Sequence, residues 1–173
     1  MKTNRNKSNI EIKFLKNETI YDFHLCAKEF IDLIDKFEEK FLNKSLLIFP
    51  GYFKNILAGI IVAEDKRKKV DSIDNIVPSI CLHLLYVNPN YRNKGIGKEL
   101  LTLFINFQKM AGAASIYIKL PQKYTNGKKF LEKFEFHQIK KVKNKIILEL
   151  KLWNDFGIGD CYIIEDNISD LFY

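Results

Sequence analysis

Apolar and polar residues alternate from Ile10 to Leu15, the period of a strand with one buried face. Thr19 then stands three residues before Asp22, a helix start in which the hydroxyl caps and the acid faces the helix dipole. Apolar residues recur behind it at Ile20, Phe23, Ala27, Phe30, Ile34, Phe37 and Phe41. That spacing predicts one long helix or two abutting helices whose apolar stripe packs on a core, although a coiled coil would read the same. Ser45 to Phe49 is an apolar run closed by Pro50-Gly51, and Ile56 to Ala63 follows, which predicts two strands joined at that tight connection. Glu64 to Asn75 is polar and reads as a surface loop.

Ser79 to Val87 is a further strand, ended by Asn88-Pro89-Asn90. Ile96, Leu100, Leu103, Phe104, Phe107 and Ala111 form a helical stripe that stops at Gly112. Ser115 to Leu120 is a strand ended by Pro121, and Lys128 to Phe134 is a short helix. Phe136 to Val142 and Lys145 to Leu152 alternate like a hairpin turned at Asn144. The predicted order is β-α-β-β-β-α-β-α-β-β, an α/β (α+β) chain with a mixed sheet and helices on its faces. It contains no internal repeat and no Gly/Ser or Pro-rich linker.

Composition narrows the class. The 173 residues are 47% hydrophobic and 28% charged, enough apolar area for one core. No apolar run reaches the roughly 18 to 20 residues of a membrane span. Met1 to Lys7 is basic and polar with no apolar stretch behind it, so no secretory signal is expected and a cytoplasmic location is. Cys26, Cys81 and Cys161 are odd in number and widely spaced, neither a disulfide framework nor a zinc pattern. Charge is distributed unevenly. Residues 1–153 hold all 28 Lys and Arg and 16 of the 21 acids, a balance of 28 − 16 = +12. The last twenty residues hold five acids and no Lys or Arg, a balance of −5. A basic body attracts an anion: a nucleic acid, a membrane surface or a phosphorylated small molecule.

The chemistry concentrates between Leu82 and Leu101. A strand ends, a short turn carries Arg92, Lys94, Gly95 and Gly97, and an amphipathic helix begins directly. Glycines let the backbone approach a ligand closely, and the first N–H groups of the helix point at it. Arg92, Lys94 and Lys98 surround that point with positive charge. This is an anion cradle. Its spacing is neither G-x-G-x-x-G nor G-x-x-x-x-G-K-[ST].

Arg92-Asn93-Lys94-Gly95-Ile96-Gly97 resembles the R/Q-x-x-G-x-G/A signature of the GCN5-related N-acetyltransferases, the GNAT superfamily. The Leu-Tyr-Val-Asn-Pro-Asn-Tyr before it is similar to that family's strand and turn, and the element order resembles its fold from about residue 10 to 152. The resemblance implies a mostly antiparallel central sheet of about seven strands flanked by helices. It implies a domain over residues 1–153, with 154–173 as an acidic, aromatic C-terminal extension.

It also implies that acetyl-CoA is the cosubstrate, with no metal. The pyrophosphate would lie on the loop, here Arg92, Asn93, Lys94, Gly95, Ile96, Gly97 and Lys98. The pantetheine arm would pair with backbone groups at Leu85 and Val87, and Asn126 stands near a CoA-contacting position. A primary amine, on a small molecule or a protein, would attack the acetyl carbonyl directly in a ternary complex. Among base positions on the strand the resemblance implies His83, which titrates in the useful range and shares a face with Leu85 and Val87. Cys81, the other such position, reads as a small buried hydrophobe. Leu131 occupies the usual place of the leaving-group acid Tyr and Glu135 that of a Gly, so Tyr124 is the candidate acid. His24 and His137 read as structural.

The acidic tail, with Phe156, Tyr162, Phe172 and Tyr173, suits a cationic amine, or packs on the basic body. Leu131 also leaves open a non-catalytic acyl-CoA-binding module or sensor. The Lys140-to-Lys145 cluster has no nucleic-acid recognition motif beside it, so no nucleic-acid partner and no membrane partner are expected. A homodimer stays open.

Overall fold

In the computed structural model, residues 10–12, 34, 36–66 and 78–153 are described. The strands are β1 (Ile10–Ile12), β2 (Leu46–Phe53), β3 (Ile56–Asp65), β4 (Ser79–Val87), β5 (Ser115–Pro121), β6 (His137–Val142) and β7 (Lys145–Lys151). The helices among the described residues are α1 (Phe37–Leu42), α2 (Ile96–Met110) and α3 (Thr125–Glu132), with a 3-10 turn at Pro89–Tyr91. The strands lie in the order β1-β2-β3-β4-β5-β7-β6, six longer strands and the three-residue edge strand β1. β1–β2, β5–β7 and β6–β7 are antiparallel, whereas β4 and β5, joined through α2, run parallel. The mixed sheet flanked by helices is the expected fold class.

Several boundaries differ from the pattern-based expectation. Pro50-Gly51 does not turn the chain: β2 runs through both, and the hairpin turns at Lys54 and Asn55, with φ of 50° and 64°. Two consecutive left-handed residues make the turn whose twist matches the strands it joins. Pro50 lies one residue outside the β1–β2 register, which ends at Ile12↔Gly51. Gly51 serves packing there, since a Cβ would meet Leu100 Cδ2 at 2.5 Å. Glu64 and Asp65 extend β3 rather than opening the loop, and 67–77 lie outside the described residues. The expected helix from Thr19 falls outside them over 13–33 and at 35, as does the extension 154–173.

All three helices end in the same hydrogen-bond pattern. Ser45 N–H donates to Lys40 O, Ala113 N–H to Gln108 O and Phe136 N–H to Leu131 O, each spanning five residues. The residue before each donor is left-handed: Lys44 at φ 56°, Gly112 at 77° and Glu135 at 65°. This is the Schellman stop, which satisfies orphan carbonyls and favours Gly at its left-handed position. Only Gly112 follows that preference.

The chain divides into two compact units, Met1–Ala63 with His83–Phe107, and Glu64–Leu82 with Gln108–Tyr173. In the first, Ile34, Phe37, Ile60, Val62 and Leu84 form a buried cluster bordered by Phe41, Leu46, Ile48 and Tyr86. Ile96, Leu100, Leu101 and Phe104 bury one face of α2, at a gain of roughly 1.5 to 3 kcal/mol each. Phe49 meets Phe104 and Phe107 edge-on, with both centroid distances 5.2 Å. In the second, Cys81, Tyr117 and Ile147 form the core beneath Ile139 and Val142. Among the described residues no helix is long and apolar enough to cross a membrane.

Candidate functional site

The cradle lies wholly in the first unit, and the end of β4 aims it. Asn88, just past β4, donates its N–H to Ala58 O near the start of β3, at 2.9 Å. Because a strand residue turns both backbone groups to one side, Tyr86 faces β3 with Asn88. Leu85 and Val87, out of phase with them, face the opposite edge. The β4–β5 ladder covers only Ser79↔Ser115, Ile80↔Ile116 and Cys81↔Tyr117. The Leu85 and Val87 backbone edge therefore lies beyond the last rung of that ladder.

The turn is built in steps. Asn88 Oδ1 accepts from Asn90 N–H at 3.0 Å and Asn88 O accepts from Tyr91 N–H at 2.8 Å, closing the 3-10 turn on Pro89. Asn93 at φ 60° and Gly95 at φ 82° then swing the chain into α2. The first intrahelical bond of α2 is Glu99 N–H to Gly95 O, 3.0 Å. The N–H groups of Ile96, Gly97 and Lys98 precede it and have no intrahelical acceptor, which is what an anion needs. Ile96 is buried and anchors the helix start, while Arg92 to Gly95 and Lys98 are exposed. Glu99, the acid of the first turn, accepts from Ile10 N–H at 3.4 Å, so its carboxylate is engaged with β1.

Two of the three cations are tied back to the chain. Arg92 Nε donates to Val87 O at 2.9 Å, and its guanidinium carbon stands 5.9 Å from the centre of the Tyr86 ring. Lys94 Nζ donates to Asn90 O at 3.1 Å and lies 5.4 Å from the Tyr91 ring centre. Lys98 has no ion pair among the described residues. Arg92, Asn93, Lys94, Gly95 and Lys98 are thus exposed around the start of α2, with Gly97 partly exposed and Ile96 buried beneath them. Arg92 lies five residues along the chain from Val87.

The remaining candidates are distributed between the two units. His83 is half-buried on β4, on the strand face that alternation gives to Leu85 and Val87. Tyr124 and Asn126 belong to the second unit. Tyr124 caps α3 with its backbone, accepting from Lys128 N–H at 3.0 Å, and its ring is 39% exposed beneath Lys123. Asn126 is exposed in the first turn of α3. Leu131 is 4% exposed in the core, with no proton to give.

The second unit also holds a buried polar row that the sequence pattern does not announce. Cys81 on β4 stands opposite Tyr117 on β5, and Tyr117 opposite Glu149 on β7, each buried. Tyr117 and Cys81 share a side-chain hydrogen bond. Burial pushes the Tyr117 phenol far above its ordinary range, with Cys81 and then Glu64 adding to the shift, so it stays protonated. Glu64 is fully buried and pairs with Lys66 Nζ at 2.8 Å. Glu64 reads in the sequence as the first residue of a loop but lies within β3, and Tyr117 and Glu149 fall within strands whose neighbours only the fold supplies. Among the described residues no group of three or more His, Cys, Asp or Glu has metal-binding geometry.

Residues 57–138, from the start of β3 into β6, match the family model of the acetyltransferase (GNAT) domain. This stretch includes the β4 edge, the cradle and α2. Residues 57–138 are a GNAT domain. No curated protein sequence matches the chain. Solved structures share the fold of this GNAT domain and its surroundings at low identity. A GNAT acetyltransferase from Elizabethkingia anophelis with acetyl-CoA bound has a TM-score of 0.64 at 17% identity, over 84% of this chain and 99% of that one. Arabidopsis thaliana Naa50, in complex with the bisubstrate analogue CoA-Ac-MVNAL, has a TM-score of 0.64 at 15% identity, over 82% and 98%. The ribosomal-protein-S18-alanine N-acetyltransferase of Escherichia coli has a TM-score of 0.61 at 15% identity, over 86% and 99%.

Proposed function

We propose that the protein is an N-acetyltransferase that moves an acetyl group from acetyl-CoA to a primary amine by direct attack in a ternary complex. The observation that carries this reading is the Leu85–Val87 edge of β4 running straight into the helix-start cradle at Arg92–Lys98. An extended arm bearing amides pairs with a strand edge, and a pyrophosphate sits on helix N–H groups. The two sites meet at one point, as the two halves of CoA do. The E. anophelis relative has acetyl-CoA bound, and Naa50 is in complex with a CoA-linked bisubstrate analogue.

The acceptor ammonium, with a pKa near 10, must lose a proton before it attacks. His83 is the proposed base, being the half-buried imidazole on the face of β4 shared with Leu85 and Val87. Tyr124 is the proposed donor to the departing thiolate, taking the place that buried Leu131 cannot fill. Tyr117 is a poor proton donor for that step, because its phenol is held protonated well above the pKa of a thiol. Asn126 is a proposed CoA contact. The acceptor is an amine of a small molecule or the amino group of a protein. The second is favoured by the names of two structural relatives, one acting on a ribosomal-protein alanine and one bound to an analogue that contains MVNAL. The domain is proposed to end at residue 153, with the acidic extension 154–173 aiding a cationic acceptor, in a cytoplasmic protein.

A panel of small amines and N-terminal peptides, scored by free-thiol release from acetyl-CoA, tests this. Amine-dependent thiol release supports the reading. Tight acetyl-CoA binding with no release on any amine would favour the second reading, a non-catalytic acyl-CoA-binding module, to which the buried Leu131 already points.

A further inference from the structure

Arg92 is the first residue of the cradle, yet its side chain points back along the chain to the strand it follows. Its Nε donates to Val87 O at 2.9 Å, and its guanidinium lies over the Tyr86 ring with a centroid distance of 5.9 Å. Two successive residues at the end of β4 therefore fix one planar group. Val87 turns its backbone to the edge left beyond the Cys81↔Tyr117 rung, away from β3. Its carbonyl is taken by Arg92, and by strand alternation Leu85 shares the edge on which an incoming chain would pair. A guanidinium committed in this way sets where the strand ends and how the next residues enter the turn.

We propose that Arg92 is a positioning residue for the donor's pantetheine arm, acting through the Val87 end of β4 rather than chiefly as a counter-ion to phosphate. The inference rests on the acetyl-CoA reading of the site and deepens it. An amide-bearing arm laid on a strand edge requires donors and acceptors in fixed register, because hydrogen bonds weaken steeply with misalignment. Without its strap, the Val87 carbonyl is released to water and the chain end is free to twist. Lys98 supplies the contrast. It is exposed at the helix start and touches no part of β4 among the described hydrogen bonds, so its effect on an anion is one of charge alone.

Two donors separate these roles: acetyl-CoA, and S-acetylpantetheine, which has the arm and thioester but neither pyrophosphate nor nucleotide. Binding and kcat/KM are measured for the wild type, Arg92→Met, Arg92→Lys and Lys98→Met, with thermal unfolding to establish that each is folded. Arg92→Met is expected to weaken both donors by about tenfold, the scale of one charge-assisted hydrogen bond. Arg92→Lys, which keeps the charge but not the planar fork, is expected not to rescue S-acetylpantetheine. Lys98→Met is expected to weaken acetyl-CoA alone. If Arg92→Met weakened acetyl-CoA and left S-acetylpantetheine unchanged, Arg92 would be a counter-ion and the proposal wrong. A wild type that binds acetyl-CoA but not millimolar S-acetylpantetheine would also overturn it. A wild type that binds neither donor would instead remove the acetyl-CoA reading itself.

Discussion

Gly59 on β3 and Leu100 on α2 pack so closely that a Cβ at position 59 would lie 2.7 Å from Leu100 Cδ1. The same Cβ would lie 2.8 Å from Tyr86 O, a backbone atom that cannot rotate away. The absence of a side chain at 59 lets the cradle helix and the end of β4 share one place. Gly59→Ala is therefore expected to cost about 1 to 3 kcal/mol and to shift α2 against β4. Denaturant unfolding reads the first effect, and weaker acetyl-CoA binding by the folded variant reads the second. An alanine variant as stable as the wild type would mean that the helix yields without penalty.

Glu135 holds the left-handed position of the α3 stop, at φ 65°, with Phe136 N–H bonded to Leu131 O and Glu135 N–H to Glu132 O. Left-handed backbone is unfavourable for a residue with a Cβ and free for glycine. Glu135→Gly should stabilise the protein by about 0.5 to 1 kcal/mol, against the usual direction for glycine substitutions. A gain of roughly 2 to 3 °C in Tm is the expected readout. A loss would mean that the Glu135 side chain makes a compensating contact.

The buried phenol of Tyr117 makes a prediction about alkaline pH. Its folded pKa lies above that of the unfolded chain, near 10, because burial, Cys81 and Glu64 all disfavour the phenolate. The stability it contributes is complete below about pH 10 and falls as pH rises above that value. One linked proton corresponds to a slope of about 1.4 kcal/mol per pH unit. Tyr117→Phe should lose about 1 kcal/mol at neutral pH with its hydrogen bond, and should show a correspondingly shallower decline between pH 10 and 11. Denaturation midpoints of both proteins across pH 8 to 11 decide the matter, and identical slopes would contradict it.

His83 carries a kinetic prediction. If it takes the amine proton, His83→Ala should reduce kcat/KM about a hundredfold near neutral pH and remove the lower limb of the pH profile between pH 6 and 9. Acetyl-CoA affinity should be unchanged. Full activity of the variant across that range would remove His83 from the reaction.

What was legible in the sequence follows from the range of each interaction. Ser79–Val87 and Ile96–Met110 were readable because alternation and helical spacing are local signals, and Gly112 ended the helix on its own conformational preference. Arg92-Asn93-Lys94-Gly95-Ile96-Gly97 was readable because a strand, a turn and a helix start are contiguous. Pro50-Gly51 has the pattern of a turn but lies within β2. Pro and Gly usually break strands, but here Gly51 makes room for Leu100, a residue 49 positions away. Lys54-Asn55 carried no Gly to mark the true turn. The row Cys81–Tyr117–Glu149 stayed hidden for the same reason, since it exists only once β4, β5 and β7 are side by side. The Arg92–Val87 strap is short in sequence, yet its existence depends on a 3-10 turn that no residue pattern specified.

The central claim is that the β4 edge and the α2 cradle together hold acetyl-CoA, and a thermal-shift titration tests it most directly. Acetyl-CoA, CoA and ATP are compared, ATP having phosphates without the pantetheine arm. At about 100 times its Kd, a ligand of the native state adds about 2.7 kcal/mol, roughly 5 to 10 °C for a chain of this size. Shifts of that order with both CoA compounds and little with ATP are the predicted result. No shift at millimolar acetyl-CoA would mean that Arg92 to Gly97 is only a turn, and the proposed function would fall while the fold remained.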